Sequence, residues 1–291
     1  MSTKLRFAGH ETFACRTAWL TKGLQYAEQQ EGGLEVFNRP EAVVDLGVGR
    51  NMVLSIRHWL QAFRLLDDQG EKLPASKLLS EWNDAPAVDP LLEKRDSLWL
   101  LHYELVSSEY ATVYTFFFRE FFKRKASFSF TESETVRALT SWIKSQEQKP
   151  PSEKSLTKDF RVLLDNYCMK GGKQAEESMT NLLVDLQLII KTDFKSDKEF
   201  VYTLNSHAHK TVSTPLFACL LSQAFEGSSE SLDAMHYKLG IPLLLNREAF
   251  MQRLLTTCAE YPKHFVFKDD AGLREVQKKQ DFDWNNLDPN A

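Results

Sequence analysis

The sequence predicts a mainly α-helical protein with short β-hairpins. It opens on a winged helix-turn-helix and continues into a helical C-terminal region, where a second winged-helix-like fold is expected. Three observations lead there. Apolar residues recur at helical spacing through most of the chain, a Gly-containing turn near residue 48 joins a short helix to a long amphipathic one, and turn-rich polar segments follow groups of helices at two places.

Thr12 to about Gln30 carries Phe13, Trp19, Leu20, Leu24 and Ala27 near helical spacing, and Glu31-Gly32-Gly33 ends it. Arg39-Pro40-Glu41 opens a short helix through Leu46, with Pro40 suited to the first helical position and Gly47 to the closing turn. A third helix runs from Arg50 to Leu66, and Asp67-Asp68-Gln69-Gly70-Glu71-Lys72 then tips a small hairpin. Residues 1–84 therefore read as the winged helix-turn-helix. Residues 85–149 read as an aromatic-rich helical joining region: a turn at Asp89-Pro90, a buried helix from Ser97, and a Phe-rich run. Lys144 to Lys154, with Pro150-Pro151, is the expected linker into a helical C-terminal domain, 150–291. There Ser155–Cys168 and Gln174–Leu188 read as helices and Ile189–Leu204 as a hairpin turning at Lys195–Lys198. With a helix near Glu132–Gln146, this repeats the helices-then-hairpin order. Helices are also expected around 213–226 and 247–260. Phe265-Val266-Phe267 follows, then a helix entered at Asp269-Asp270 and a loose end from Asp281.

Composition narrows the function. With 291 residues, 43% apolar, and a formal charge of −4, the chain is neither disordered nor uniformly basic. The first 66 residues carry eight Lys+Arg against six Asp+Glu, so the positive part is local. No apolar run approaches the ~20 residues of a membrane span, and no signal core opens the chain, so no membrane partner and a cytoplasmic location are expected. The four cysteines are far apart and read as reduced core residues. Phosphate-loop, dinucleotide, nucleophile-elbow and zinc-protease motifs are missing.

The third helix carries the clearest binding pattern. Met52, Val53, Ile56, Trp59, Leu60, Phe63 and Leu66 fall within one arc of about 140°. Arg50, Arg57 and Arg64 recur every seven residues on the other side, flanked by Asn51, Ser55, His58 and Gln61. Such side chains donate to phosphates and read base edges, so this face is the expected DNA contact. Lys123, Arg124 and Lys125 form a second basic cluster at the end of the Phe-rich run. Before the first helix stand His10 and Glu11, with Arg16 one turn inside it; the three suit water activation, metal binding or phosphate stabilisation, and equally a helix cap. The acidic group Asp89, Glu93 and Asp96 and the pair His207 and His209 read better as turn and loop residues than as metal sites.

The motifs Phe7-Ala8-Gly9-His10-Glu11-Thr12-Phe13, Leu46-Gly47-Val48-Gly49-Arg50-Asn51-Met52, Asp89-Pro90-Leu91-Leu92-Glu93 and Leu98-Trp99-Leu100-Leu101-His102-Tyr103 resemble the motif series of the SspB family, as does Ala271-Gly272-Leu273. That family belongs to the bacterial Ssp DNA phosphorothioation system, which places sulfur on one DNA strand and supports defence against phage. The resemblance implies a DNA-nicking endonuclease. Its partners would be DNA and the system's cysteine desulfurase, ATPase and ATP-pyrophosphatase-like enzyme. It raises His10, Glu11 and Arg16 to a catalytic set, with Glu11 as ligand to a divalent metal, Mg or Mn. The alternative is a non-enzymatic winged-helix adaptor that recruits the sulfur-insertion enzymes to DNA.

Overall fold

The computed structural model describes residues 5–125, 127–169, 180–196, 199–270 and 273–282. Helices dominate, and among the described residues the strands form two three-stranded antiparallel sheets. The chain divides into two compact units, Met1–Asn205 and Ser206–Ala291.

The first unit opens with α1 (Thr17–Glu28), a 3₁₀ turn, α2 (Glu41–Leu46) and α3 (Arg50–Ala62). Gly47, left-handed at φ 66°, closes α2 as expected. Helices α1 and α3 approach closely because α1 has Gly23 at the crossing, where a Cβ would lie 2.4 Å from Ile56 Cγ2. Trp59, Leu60, Ile56 and Val53 fill the interface side of α3. The helix stops at Ala62 rather than Leu66, and Arg64 is left-handed at φ 52°. The expected hairpin contracts to an isolated bridge, Leu66 to Lys72. Asp67 Oδ1 accepts from the Gln69 and Glu71 N–H groups at its tip, and two cross-strand bonds, Asp67 N–H to Glu71 O and Leu73 N–H to Leu65 O, each 2.9 Å, flank the bridge.

Next come α4 (Arg95–Ser107) and α5 (Thr112–Thr115), which passes through a π turn into a 3₁₀ turn ending at Arg124. The Phe-rich run is core: Phe116, Phe117, Phe118, Phe121 and Phe130 are buried against one another. Strand β1 (Ser129–Phe130), α6 (Glu132–Ser145), α7 (Glu153–Tyr167), β2 (Ile189–Ser196) and β3 (Glu199–Leu204) complete the unit, with sheet order β1-β3-β2. Thr131 and Ser152 cap the two helices through their hydroxyls. Of the helix expected at Gln174–Leu188, residues 174–179 lie outside the described residues, and Val184–Leu186 is a 3₁₀ turn. In the hairpin turn, Asp197 and Lys198 also lie outside them.

The polar stretch at 144–154 is a connection between α6 and α7 inside this unit, not a boundary. Helix α7 faces back toward the N-terminal segment: Asn166 Oδ1 accepts from Cys15 N–H at 2.9 Å, and its Nδ2 donates to the Tyr114 hydroxyl at 2.6 Å. The expected segments 1–84 and 85–149, together with the start of 150–291, share one core, and the division falls after Asn205.

The second unit contains α8 (Thr214–Ala224), β4 (Ser229–Ser231), α9 (Leu232–Met235) continued by a π turn, α10 (Arg247–Glu260), β5 (Phe265–Asp270) and β6 (Leu273–Lys278). Its sheet order is β4-β6-β5. Where a helix was expected from Asp269-Asp270, the chain forms the β5–β6 hairpin, with Asp270 paired to Leu273. No described helix is long and apolar enough to cross a membrane. Cys15, Cys168 and Cys219 are buried, Cys258 is part-buried, and none of the four is in a disulfide; burial pushes Cys168 up to about 12.

Candidate functional site

The segment from Ala8 to Thr12 is strained. Ala8 (φ 62°), Glu11 (φ 50°) and Thr12 (φ 68°) are left-handed without being glycine. Each such residue costs roughly 1–3 kcal/mol and persists only where its surroundings over-determine it. Asp159 supplies much of that hold. Its Oδ2 accepts from Ala8 N–H at 2.9 Å, and its Oδ1 lies 3.3 Å from His10 Nε2, close enough for an ion pair but off the line of a good hydrogen bond. His10 Nδ1 accepts from Thr12 N–H at 3.1 Å, so the hydrogen of a neutral ring sits on Nε2, the nitrogen beside Asp159. The ring stacks on Trp59 at 6.2 Å, and Trp59 Nε1–H donates to Phe13 O at 3.2 Å. Gly9 completes the fit, because a Cβ there would lie 2.5 Å from His58 Nδ1.

His10 is thus a buried residue committed to the fold. Glu11 differs: it is part-exposed, and among the described residues its carboxylate has neither a hydrogen bond nor an ion pair. Arg16 is the residue before α1, with its guanidinium 5.5 Å from the Trp19 ring. It lines a groove of about 400 Å³, and neither His10 nor Glu11 is among the described residues of that groove's wall. No three described His, Cys, Asp or Glu side chains come together as a metal site. The described residues by themselves build no all-protein cage for a divalent ion. Asp89 is a turn residue, accepting from the Glu93 and Lys94 N–H groups.

Helix α3 corrects the expected DNA face. Arg50 and Asn51 are exposed in its first turn, and Arg50 Nη1 donates to Phe37 O at 2.9 Å. Ser55, His58 and Gln61 are instead buried. The segment from Arg6 to Phe13 and Tyr110 form a second layer over that flank: Tyr110 OH donates to Gln61 Oε1 at 2.9 Å, and Arg6 sits 4.3 Å from the Tyr110 ring. Gln61 Nε2 donates to Asp68 Oδ1 at 3.0 Å. Burial, with His10 and Arg6 nearby, lowers the His58 pKa to about 3, so its ring is neutral. Arg57 is half-buried and donates to Asn38 Oδ1, while Arg64 lies beyond the helix, 3.4 Å from Glu104 Oε2.

The second basic cluster is locally offset. Lys123 pairs with Glu120 at 2.7 Å and Lys125 with Glu134 at 2.5 Å, while the Arg124 side chain lies outside the described set. Two carboxylates escaped notice in the sequence. Asp159 interrupts the apolar row Leu156, Phe160 and Leu163 of α7, and a carboxylate on such a row is the signal that finds it. Glu104 sits among Leu100, Leu101, His102 and Leu105 on a helix buried nearly all round, and its burial pushes its pKa up to about 7.

These features define a two-unit, mainly helical protein whose first unit fastens a strained, glutamate-bearing loop onto a buried histidine–aspartate pair. The chain belongs to the family described as "Protein of unknown function (DUF4007)", which it matches over residues 7–288. Two solved structures share its fold. One, described as "Magnesium ion-bound SspB crystal structure", is 24% identical with a TM-score of 0.79; the other, "SspB crystal structure", is 24% identical with a TM-score of 0.77. Each comparison covers 99% of this chain and 88% of the other. The likeness to SspB expected from the motifs therefore holds at the level of the fold. No curated protein matches the chain.

Proposed function

We propose that this protein is the DNA-engaging component of a phosphorothioation system and that it nicks DNA, with Glu11 as the base that activates water. One observation carries the reading: Glu11 is a part-exposed carboxylate without a partner among the described residues, presented by a loop whose strain is held by buried contacts. A carboxylate so placed is free to take a proton from water as it attacks phosphorus. The neighbouring His10, being buried against Asp159, positions the loop rather than touching DNA. If magnesium or manganese takes part, Glu11 would be the loop's carboxylate to hold it beside the phosphate, and the metal would then supply the activation of water in place of a free carboxylate base. One of the similar structures contains magnesium.

Element order supports DNA engagement. Two segments, β1-α6-α7-β2-β3 and β4-α9-α10-β5-β6, run strand, helices, hairpin, with the last strand in the middle of each sheet. We read these as winged-helix-like, whereas residues 1–84 keep the helices and the helical turn with a ribbon reduced to the Leu66–Lys72 bridge and its flanking bonds. Within the first unit, Arg50 and Asn51 at the exposed start of α3 are the contacts we assign to DNA. The cysteine desulfurase, ATPase and ATP-pyrophosphatase-like enzyme remain the protein partners of this reading.

The adaptor reading draws on a specific observation, the absence of a three-residue metal cluster among the described residues. A supercoiled-plasmid assay with and without Mg or Mn separates the two. Glu11→Gln is expected to keep DNA affinity and lose nicking. Full nicking by that variant removes Glu11 from the chemistry, and DNA binding without nicking by the wild type selects the adaptor.

A further inference from the structure

We infer that Arg6 is a phosphate-binding residue: it leaves Asp68 for a backbone phosphate of DNA and holds that strand beside the strained loop. This rests on the reading that the protein engages DNA, but not on Glu11 acting as a base.

Arg6 belongs to a closed ring of four side chains. Its Nη2 stands 3.8 Å from Asp68 Oδ2, Asp68 Oδ1 accepts from Gln61 Nε2 at 3.0 Å, and Gln61 Oε1 accepts from the Tyr110 hydroxyl at 2.9 Å. The Arg6 guanidinium closes the ring, 4.3 Å from the centre of the Tyr110 side chain. The weak member is the ion pair. At 3.8 Å, between side chains 44% and 64% exposed, it is long and wet, and such pairs contribute little. Breaking it strands nothing, because Gln61 keeps Asp68 Oδ1 and water takes the rest of the exposed carboxylate. A duplex also offers what Asp68 does not, the release of condensed counterions when a cation replaces them.

The cation itself is held in place. Arg6 N–H donates to Thr112 Oγ1 at 2.8 Å, and two residues on, Ala8 N–H donates to Asp159 Oδ2 at 2.9 Å; both acceptors belong to buried residues. With the main chain pinned and the guanidinium resting on Tyr110, Arg6 gives up little freedom when it meets an anion. Its planar fork of donors matches two phosphate oxygens at once.

The loop keeps Glu11 near. Glu11 N–H donates to Ala8 O at 3.3 Å and Phe13 N–H to His10 O at 2.8 Å, so the chain doubles back twice after Ala8. Two residues of chain and one such turn keep the Arg6 and Glu11 α-carbons within about 14 Å. A strand held by Arg6 therefore passes close to the loop.

Salt-dependent binding of a fluorescein-labelled 20-base-pair duplex tests the exchange. Arg6→Gln is expected to weaken binding several-fold near 0.1 M salt and to flatten the slope of log affinity against log salt by about 0.9. Asp68→Asn keeps an oxygen for Gln61 and releases Arg6, so it should tighten binding several-fold, and in the Arg6→Gln background that gain should vanish. Circular dichroism and Tm establish that each variant is folded. An unchanged slope for folded Arg6→Gln overturns the assignment while leaving DNA engagement standing. So does an Asp68→Asn gain that survives in the Arg6→Gln background, which is the mark of general repulsion. If Arg6→Gln does not fold, Asp68→Asn decides alone, and unchanged affinity overturns the exchange. Failure of the wild type to bind the duplex removes both readings.

Discussion

The two ends of helix α3 have similar side chains and opposite fates. Arg50 and Asn51 at its start stand in solvent, while Ser55, His58 and Gln61, on the same polar flank, are buried. The helix wheel separates apolar from polar correctly, yet half of the polar side faces protein. The difference is the second layer. The segment leading to α1 and Tyr110 cover the later turns and supply hydrogen bonds, so a neutral histidine and an amide can be buried there. Amphipathicity reports what a face is made of; only the tertiary partner decides whether that face is wet.

The strongest way to break this contrast is to remove what fastens the second layer. Asp159→Ala takes the acceptor from Ala8 N–H and the carboxylate from beside His10. Unfolding in urea should show a loss of about 2–4 kcal/mol, because buried polar groups are left unpartnered. A loss below half a kcal/mol would mean that the loop holds its strain without Asp159.

Glycine substitutions sharpen the same contrast at lower cost. Gly9→Ala forces a Cβ to within 2.5 Å of His58 Nδ1, whereas Gly49→Ala meets nothing within 4 Å at a φ of −65° that alanine accepts. The first should lower stability by about 1–3 kcal/mol, and the second should stay within about 0.5 kcal/mol. Equal effects in thermal melts would place both glycines on the same kind of surface.

Much of this architecture was legible. The helix α1, the Pro40 and Gly47 punctuation of α2, the start of α3, the Phe-rich core and the β2–β3 hairpin follow from spacing and turn residues. The shortness of the hairpin at Asp67 did not, because its single bridge and the side chain that accepts two backbone N–H groups at its tip leave no mark in composition. The β5–β6 hairpin was hidden by Asp269-Asp270, which resembles a helix start. At the site, Glu11 was found as a motif residue, but its contrast with His10 depends on Asp159, 148 or more positions away, and long-range pairs leave no local signal.

Glu104 offers a pH test of the layer's other edge. Its carboxyl, buried on α4, is pushed up from 4.5 to about 7, with half-exposed Arg64 pulling the other way. A carboxyl raised in the folded state holds a proton that the unfolded chain releases between those two values. Its contribution is full below pH 4.5 and is lost as pH rises through about 7. Glu104→Gln removes that dependence. The variant should therefore gain on the wild type by about 1–3 kcal/mol between pH 5 and pH 8. Parallel pH profiles would show that Glu104 is wetter than its packing indicates.

The smallest expected effect bears most directly on the DNA face. Were Arg50, Arg57 and Arg64 one stripe of phosphate contacts, replacing all three would flatten the salt slope on duplex DNA by about 2.7, at 0.9 per contact. The fold divides them. Arg64 lies beside Glu104, while Arg57 and Arg50 both donate to neutral oxygens, of Asn38 and of Phe37 and Arg39; of these two, Arg57 is half-buried and Arg50 is exposed. Arg50→Gln alone should flatten the slope by about 0.9, and adding Arg57→Gln and Arg64→Gln should change stability more than slope. A folded triple variant that loses the full 2.7 would show that the arginines exchange their protein partners for phosphate, and that the stripe drawn from sequence forms when DNA arrives.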